Sequence, residues 1–116
     1  MHIISRLSCS LVGEEQHIRI AKNTLAFKAY GGENAIEKFQ CSYGLNEKFR
    51  DALGDGGLRI AGTDTDGAVR IVELTGHRFF TATLYLPQLL STPAAPHPLI
   101  LAFIQAAMDF QDEKEP

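Results

Sequence analysis

Two cysteines and four histidines are the side chains of this 116-residue sequence that carry nucleophilic or metal-binding chemistry. Cys9 and Cys41 have no CxxC spacing, and neither sits on a Gly-x-Cys-x-Gly elbow. A small buried apolar role is the default for each. His2, His17, His77 and His97 lack metal-ligand spacing, and His97, directly before Pro98, reads as a helix-entry residue. Gly62-Thr63-Asp64-Thr65-Asp66-Gly67, followed by Glu73, mimics a calcium loop. That loop wants an acid where Gly62 stands and helices on both sides, whereas strands flank this one. It reads as a hairpin turn. No Gly-rich phosphate loop is present, so no cofactor or metal is expected. Ligands of α/β proteins gather at the rim of the sheet, just past strand ends. The side chains there, after the run Phe79–Leu86, are Leu86 and Gln88, and neither can act as a base.

Residues 58–90 organise the elements that position these groups. Leu58, Ile60 and Ala61, then Val69, Ile71, Val72 and Leu74, flank the Asp66-Gly67 pair, which is a strong hairpin signal. Phe79–Leu86 is almost wholly apolar or Thr, as expected of a strand covered on both faces. Upstream, residues 3–12 predict a strand, and residues 17–21 alternate as a second, giving a hairpin over 7–20. Residues 24–30 predict a helical turn stopped by Gly31-Gly32. Residues 35–43 predict a strand whose apolar positions are Ile36, Phe39, Cys41 and Tyr43. Asn46 caps a short helix over 47–53, and the glycines at 54, 56 and 57 end it. Pro98 opens a final helix to Phe110. Leu99, Phe103, Ala106, Ala107 and Phe110 mark one face of that helix, and Ile100, Ile104 and Met108 its neighbour, a stripe that must be covered by the sheet and by something more. The expected fold class is α/β: a mixed sheet with β-hairpins and a C-terminal helix, in one domain over residues 1–110 with a polar tail at 111–116.

The composition, 45% hydrophobic with a formal net charge of −3, describes a globular chain. The basic residues are scattered, without the footprint of a nucleic-acid binder. No stretch has the length to span a membrane or the apolar core of a signal peptide. Two cysteines without a paired spacing fit a reduced, cytoplasmic protein.

A series of short motifs runs through most of the chain, over about residues 7–107. Ala29-Tyr30-Gly31 comes first, then Glu37 to Tyr43 followed by Asn46. Gly57-Leu58, Gly62-Thr63, Asp66-Gly67 and Ile71-Val72-Glu73-Leu74 follow in order. His77, Phe79-Phe80-Thr81-Ala82-Thr83, Pro87 and Pro96-His97-Pro98-Leu99 complete it. Each motif is weak alone, but their order and spacing together resemble the C-terminal half of a class I glutamine amidotransferase domain, most closely that of the CTP synthase family. The resemblance implies a cysteine nucleophile on an upstream elbow and a His-Pro-Glu that supplies the base and its orienting acid. Here that tripeptide is Leu86-Pro87-Gln88. The substrate-gripping arginine of the family falls at Ser42, next to Tyr43, and Lys38, Phe39 and Gln40 stand at other Arg/His positions. A neutral hydroxyl replaces a bidentate cation at Ser42.

Glutaminase activity from this chain alone therefore has no physical basis. The expected role is that of a non-catalytic relative or fragment, a structural or interaction module. The alternative is half of a split glutamine-hydrolysing enzyme whose nucleophile comes from another chain. A small-molecule pocket near Leu86, Gln88 and Tyr43 is compatible with both. The apolar final helix and the strand at 79–86 would be bare on their own, so a homodimer or a partner chain completing the sheet is expected.

Overall fold

The computed structural model describes residues 4–7, 11–40 and 43–114. Seven strands and three helices follow one another: β1 (Ile4–Arg6), β2 (Glu15–Ile20), α1 (Leu25–Tyr30), β3 (Asn34–Lys38), β4 (Tyr43–Leu45), α2 (Arg50–Asp55), β5 (Leu58–Thr63), β6 (Val69–Leu74), β7 (Thr81–Thr83) and α3 (Pro98–Lys114). Short 3₁₀ turns precede α2 at Glu47–Phe49 and follow β7 at Pro87–Leu90. The main sheet has the order β3-β2-β5-β6-β7, and β1 and β4 form a separate two-stranded sheet. Every described pairing is antiparallel. This is the α/β architecture of hairpins and a C-terminal helix that the sequence predicts.

Local chemistry sets the element boundaries. Thr24 caps α1, its hydroxyl accepting from the Phe27 amide. Gly31, at φ 76°, ends the helix in the left-handed region and returns its N–H to the Phe27 carbonyl. Asn46 caps the 3₁₀ turn through a bond from the Lys48 amide. In the β5–β6 hairpin, Asp64 Oδ1 accepts from the amides of Asp66 (2.9 Å) and Ala68 (3.0 Å). That is an Asx turn, closed by Gly67 at φ 82°. The hairpin reading of the calcium-like loop is the geometry observed.

The core gathers Ile18 and Ile20 of β2, Ala26 of α1, Phe39, Ala61 of β5, Ile71 of β6, Tyr85 and Leu99. Phe39 and Tyr85 meet edge to face, with ring centroids 5.6 Å apart. Gly62 lets the sheet close here. A Cβ at that position would lie 2.7 Å from Ile71 Cδ1 and 3.2 Å from Ile18 Cγ2.

Four expectations are corrected. Among the described residues the hairpin expected over 7–20, of which 8–10 lie outside them, is not seen: β1 pairs with β4, Ile4 facing Leu45, and β2 pairs with β3 and β5. The predicted strand at 35–43 divides between two sheets, β3 ending at Lys38 and β4 beginning at Tyr43, and one of its apolar positions lies on the wrong face: Phe39 is buried, but Ile36 is 59% exposed while Glu37 is 1% exposed. The strand expected at 79–86 to be covered on both faces is a three-residue edge strand bonded to β6 alone, with Ala82 exposed. Helix α3 runs four residues beyond Phe110, and the sheet does not cover its stripe. Leu99 is buried, but Leu101, Phe103, Ile104, Met108 and Phe110 are exposed. Partial contacts tether its outer half: Phe79 packs on Phe103, with ring centroids 5.7 Å apart, and Arg78 pairs with Glu113 and lies over the Phe110 ring. The radius of gyration, 14.9 Å, exceeds the roughly 13 Å of a compact chain of this length, as a protruding helix requires.

Candidate functional site

Leu86 and Gln88 stand where the sequence puts them, just past the end of β7. The Leu86 amide lies 3.5 Å from the Lys38 carbonyl. Pro87 then opens the 3₁₀ turn, in which the Gln88 carbonyl accepts from Ser91. Both side chains are exposed. An aliphatic side chain and a neutral amide can neither take a proton from a thiol nor stabilise an imidazolium. Tyr43 opens β4, its backbone opposite Arg6, so it belongs to the smaller sheet. Ser42, Cys9, Cys41 and His2 lie outside the described residues. An apolar cavity of about 210 Å³ is lined by Leu45, Leu53, Leu58, Val72 and Leu84 among others, not by Leu86 or Gln88.

The most concentrated polar chemistry lies elsewhere, in a buried quartet drawn from four segments. His97 Nδ1 accepts the Leu99 amide at 3.1 Å, so the ring proton sits on Nε2. That nitrogen donates to Glu37 Oε2 at 2.6 Å. The Tyr30 hydroxyl donates to the same carboxylate oxygen at 2.5 Å and lies 2.8 Å from the Tyr85 hydroxyl. Tyr30 spends its proton on Glu37, so Tyr85 donates to Tyr30. Burial, then the neighbouring Tyr85 and the bond to Glu37, push the Tyr30 phenol far above its ordinary value. Burial likewise raises Tyr85, against a smaller opposing effect of its bond to Tyr30. Both stay neutral phenols through the physiological range.

The quartet faces inward. Glu37, Tyr85 and His97 are buried, and their polar atoms engage one another, apart from Glu37 Oε1. It joins β3, α1, the end of the β7 segment and the entry to α3. This arrangement ties the four segments together through buried hydrogen bonds. The helix-entry reading of His97 holds through Nδ1, but sequence reasoning missed the network. Its one sequence signal was Glu37 sharing an alternation phase with Ala35 and Phe39.

Two further buried carboxylates also serve the fold. Glu73 accepts the Leu25 amide at 3.0 Å and the Ala26 amide at 2.7 Å, so a strand residue caps α1. Asp64 Oδ2 accepts from Arg70 Nε and Nη2 at 3.1 and 3.0 Å, and Arg70 also lies over the Phe39 ring, 5.3 Å from its centroid. His17 bonds Asn34 at the surface, and His77 packs on Phe80. Among the described residues no group of three or more His, Cys, Asp or Glu side chains is placed to hold a metal. No helix among them is long and apolar enough to cross a membrane.

The fold matches about half of a class I glutamine amidotransferase domain. A solved Trypanosoma brucei CTP synthase glutaminase domain with bound acivicin superposes with a TM-score of 0.85 at 24% identity, over 92% of this chain and 46% of that one. A GMP synthase protein from Thermoplasma acidophilum superposes with a TM-score of 0.70 at 10% identity, over 97% and 52%. The sequence is more specific: the chain resembles the C-terminal half of the amidotransferase domain of CTP synthase. It is 44% identical over 90 residues to CTP synthase of Prochlorococcus marinus strain MIT 9303, covering 77% of this chain and 16% of that protein. It is 41% identical over 95 residues to that of Chloroherpeton thalassium, covering 81% and 17%. The chain thus spans about a sixth of the length of these curated relatives. No family model matches it.

Proposed function

We propose that this chain is a non-catalytic relative of the CTP synthase amidotransferase domain and acts as a structural or interaction module. The observation that carries the reading is the pair Leu86 and Gln88 at the end of the β7 segment. The family places its base and orienting acid at these positions, and neither residue can do that work. The substrate-gripping position falls on Ser42, which lacks a cation. A reducing cytoplasm suits two cysteines that lack a CxxC spacing.

The partner of this module is a second copy or another chain that covers the free edge of β7 and the exposed face of α3. Exposed apolar patches of this kind mark association surfaces. The 46% coverage of the Trypanosoma domain favours a second reading, in which the chain is half of a glutamine-hydrolysing enzyme completed by a chain that carries the nucleophile.

Intact mass after incubation with an electrophilic glutamine analogue separates the two. The purified chain is expected to remain unlabelled. Stoichiometric labelling of Cys9 or Cys41 that free glutamine blocks would overturn the non-catalytic reading.

A further inference from the structure

We propose that α3 pairs antiparallel with α3 of a second copy of this chain, through the seam Leu101, Ile104 and Met108, with Lys28 of each copy beside the partner's Asp112. The inference rests on the interaction-module reading above and names the partner.

Helix α3 is apolar on two sides. Leu99 is buried in the core, and Ala102 and Ala106 are partly covered. At about 3.6 residues per turn, Leu101, Ile104 and Met108 form a stripe on the side opposite Leu99, and each is about half exposed. A helix that is apolar on both sides needs cover on both. The steps of three and then four residues along this stripe are the spacing of a two-helix seam, so the cover that fits is another helix.

Charge selects which helix. The groove between α1 and α3, about 720 Å³, is lined by Leu25, Ala29, Pro98 and Leu101, and Lys28 of α1 stands in the same lining, near the start of α3. Asp112 lies toward the other end of the helix, roughly 20 Å along the axis from Pro98. Both side chains are exposed, and neither has an ion-pair partner among the described residues. The surface is therefore an apolar seam with a cation beside one end and an acid at the other. Turned end for end, it is complementary to itself. A two-fold axis across the middle of the helix sets Ile104 against the partner's Met108 and each Lys28 near the partner's Asp112. The helix dipoles then oppose one another favourably. A parallel pair would instead bring Asp112 against the partner's Asp112.

Sedimentation equilibrium of the purified chain at low ionic strength, where surface charges are least screened, tests the pairing. The parent should be a dimer in the micromolar range. Lys28→Asp and Asp112→Lys should each weaken it about tenfold, since two symmetric attractions become two repulsions. An equimolar mixture of the two variants should regain the parent's affinity, and so should a chain carrying both changes, because every contact between positions 28 and 112 is then opposite in sign again. Both positions are exposed, so each variant should keep the parent's circular dichroism. A parent that stays monomeric across the micromolar range would overturn the proposal and leave the face to a different protein. A dimer indifferent to both single changes, or a mixture no tighter than either variant alone, would equally overturn the antiparallel pair. The non-catalytic reading fails separately, on cysteine labelling by the glutamine analogue.

Discussion

His97 and Glu37 lie sixty residues apart in the chain and 2.6 Å apart in the fold, and their contact is buried. The histidine uses both ring nitrogens, one to close the first turn of α3 and one to hold the β3 carboxylate. Removing the ring leaves Glu37 short of a donor and the Leu99 amide uncapped. His97→Ala should cost about 3 kcal/mol, read as a lower urea midpoint at unchanged slope. A change below about 0.5 kcal/mol, the range of ordinary surface substitutions, would contradict the arrangement.

The two phenols of the quartet give a pH signature. Tyr30 and Tyr85 ionise far less readily in the folded chain than at their ordinary value of 10.0. The folded state holds those protons more tightly than the unfolded state does. Their contribution to stability is therefore complete below pH 10 and falls as pH rises beyond it. Ultraviolet titration should show two of the three tyrosines ionising only as the chain unfolds. Reversible ionisation of all three near 10, with native circular dichroism retained, would contradict the burial of the pair.

Glu73 caps a helix to which it does not belong. Glu73→Ala frees the amides of Leu25 and Ala26 inside the fold. It should cost about 2 kcal/mol. Those two amides should exchange with solvent markedly faster than in the parent chain, while the β5–β6 ladder changes less.

Restoring the tripeptide tests the silent strand end directly. The double variant Leu86→His with Gln88→Glu rebuilds the base and acid of the family, but it adds no elbow nucleophile. Ammonia release from glutamine should stay at the blank rate for parent and variant alike. Turnover by the variant would show that a cysteine of this chain can serve as nucleophile.

The apolar face of α3 makes its own demand. Light scattering should report a dimer, and Phe103→Glu combined with Ile104→Lys should return a monomer, since both side chains are about half exposed. A parent chain that is monomeric across the micromolar range would remove the case for self-association through this helix.

Local signals in the sequence are reliable where the structure depends on local chemistry. Thr24 and Gly31 bound α1, Asp64 and Gly67 make the hairpin turn, Asn46 caps its turn, and Pro98 opens α3. What is illegible depends on partners far along the chain. Nothing in Ile4–Arg6 names Tyr43–Leu45 as its mate, and nothing in the apolar run at 79–86 says that one side of it has no neighbouring strand. The phase of β3 defeats a reading by hydrophobicity, which favours Ile36 inward, whereas the donors of Tyr30 and His97 make Glu37 the residue that can be buried. Leu86 and Gln88 draw attention in the sequence through the order of the motifs around them, not because their own chemistry signals a site.

Gly62, where the sheet closes, also constrains how the sequence can change. Its backbone does not require glycine; Ile71 and Ile18 do, by filling the space a Cβ would need. The restriction is conditional. A Cβ becomes admissible at position 62 only once Ile71→Ala has removed the two closest atoms and Ile18 has given by a few tenths of an ångström, whereas the same changes in the opposite order pass through a chain in which the new Cβ overlaps the Ile71 side chain. Drift at this seam therefore has a direction: position 71 must shrink before position 62 can grow.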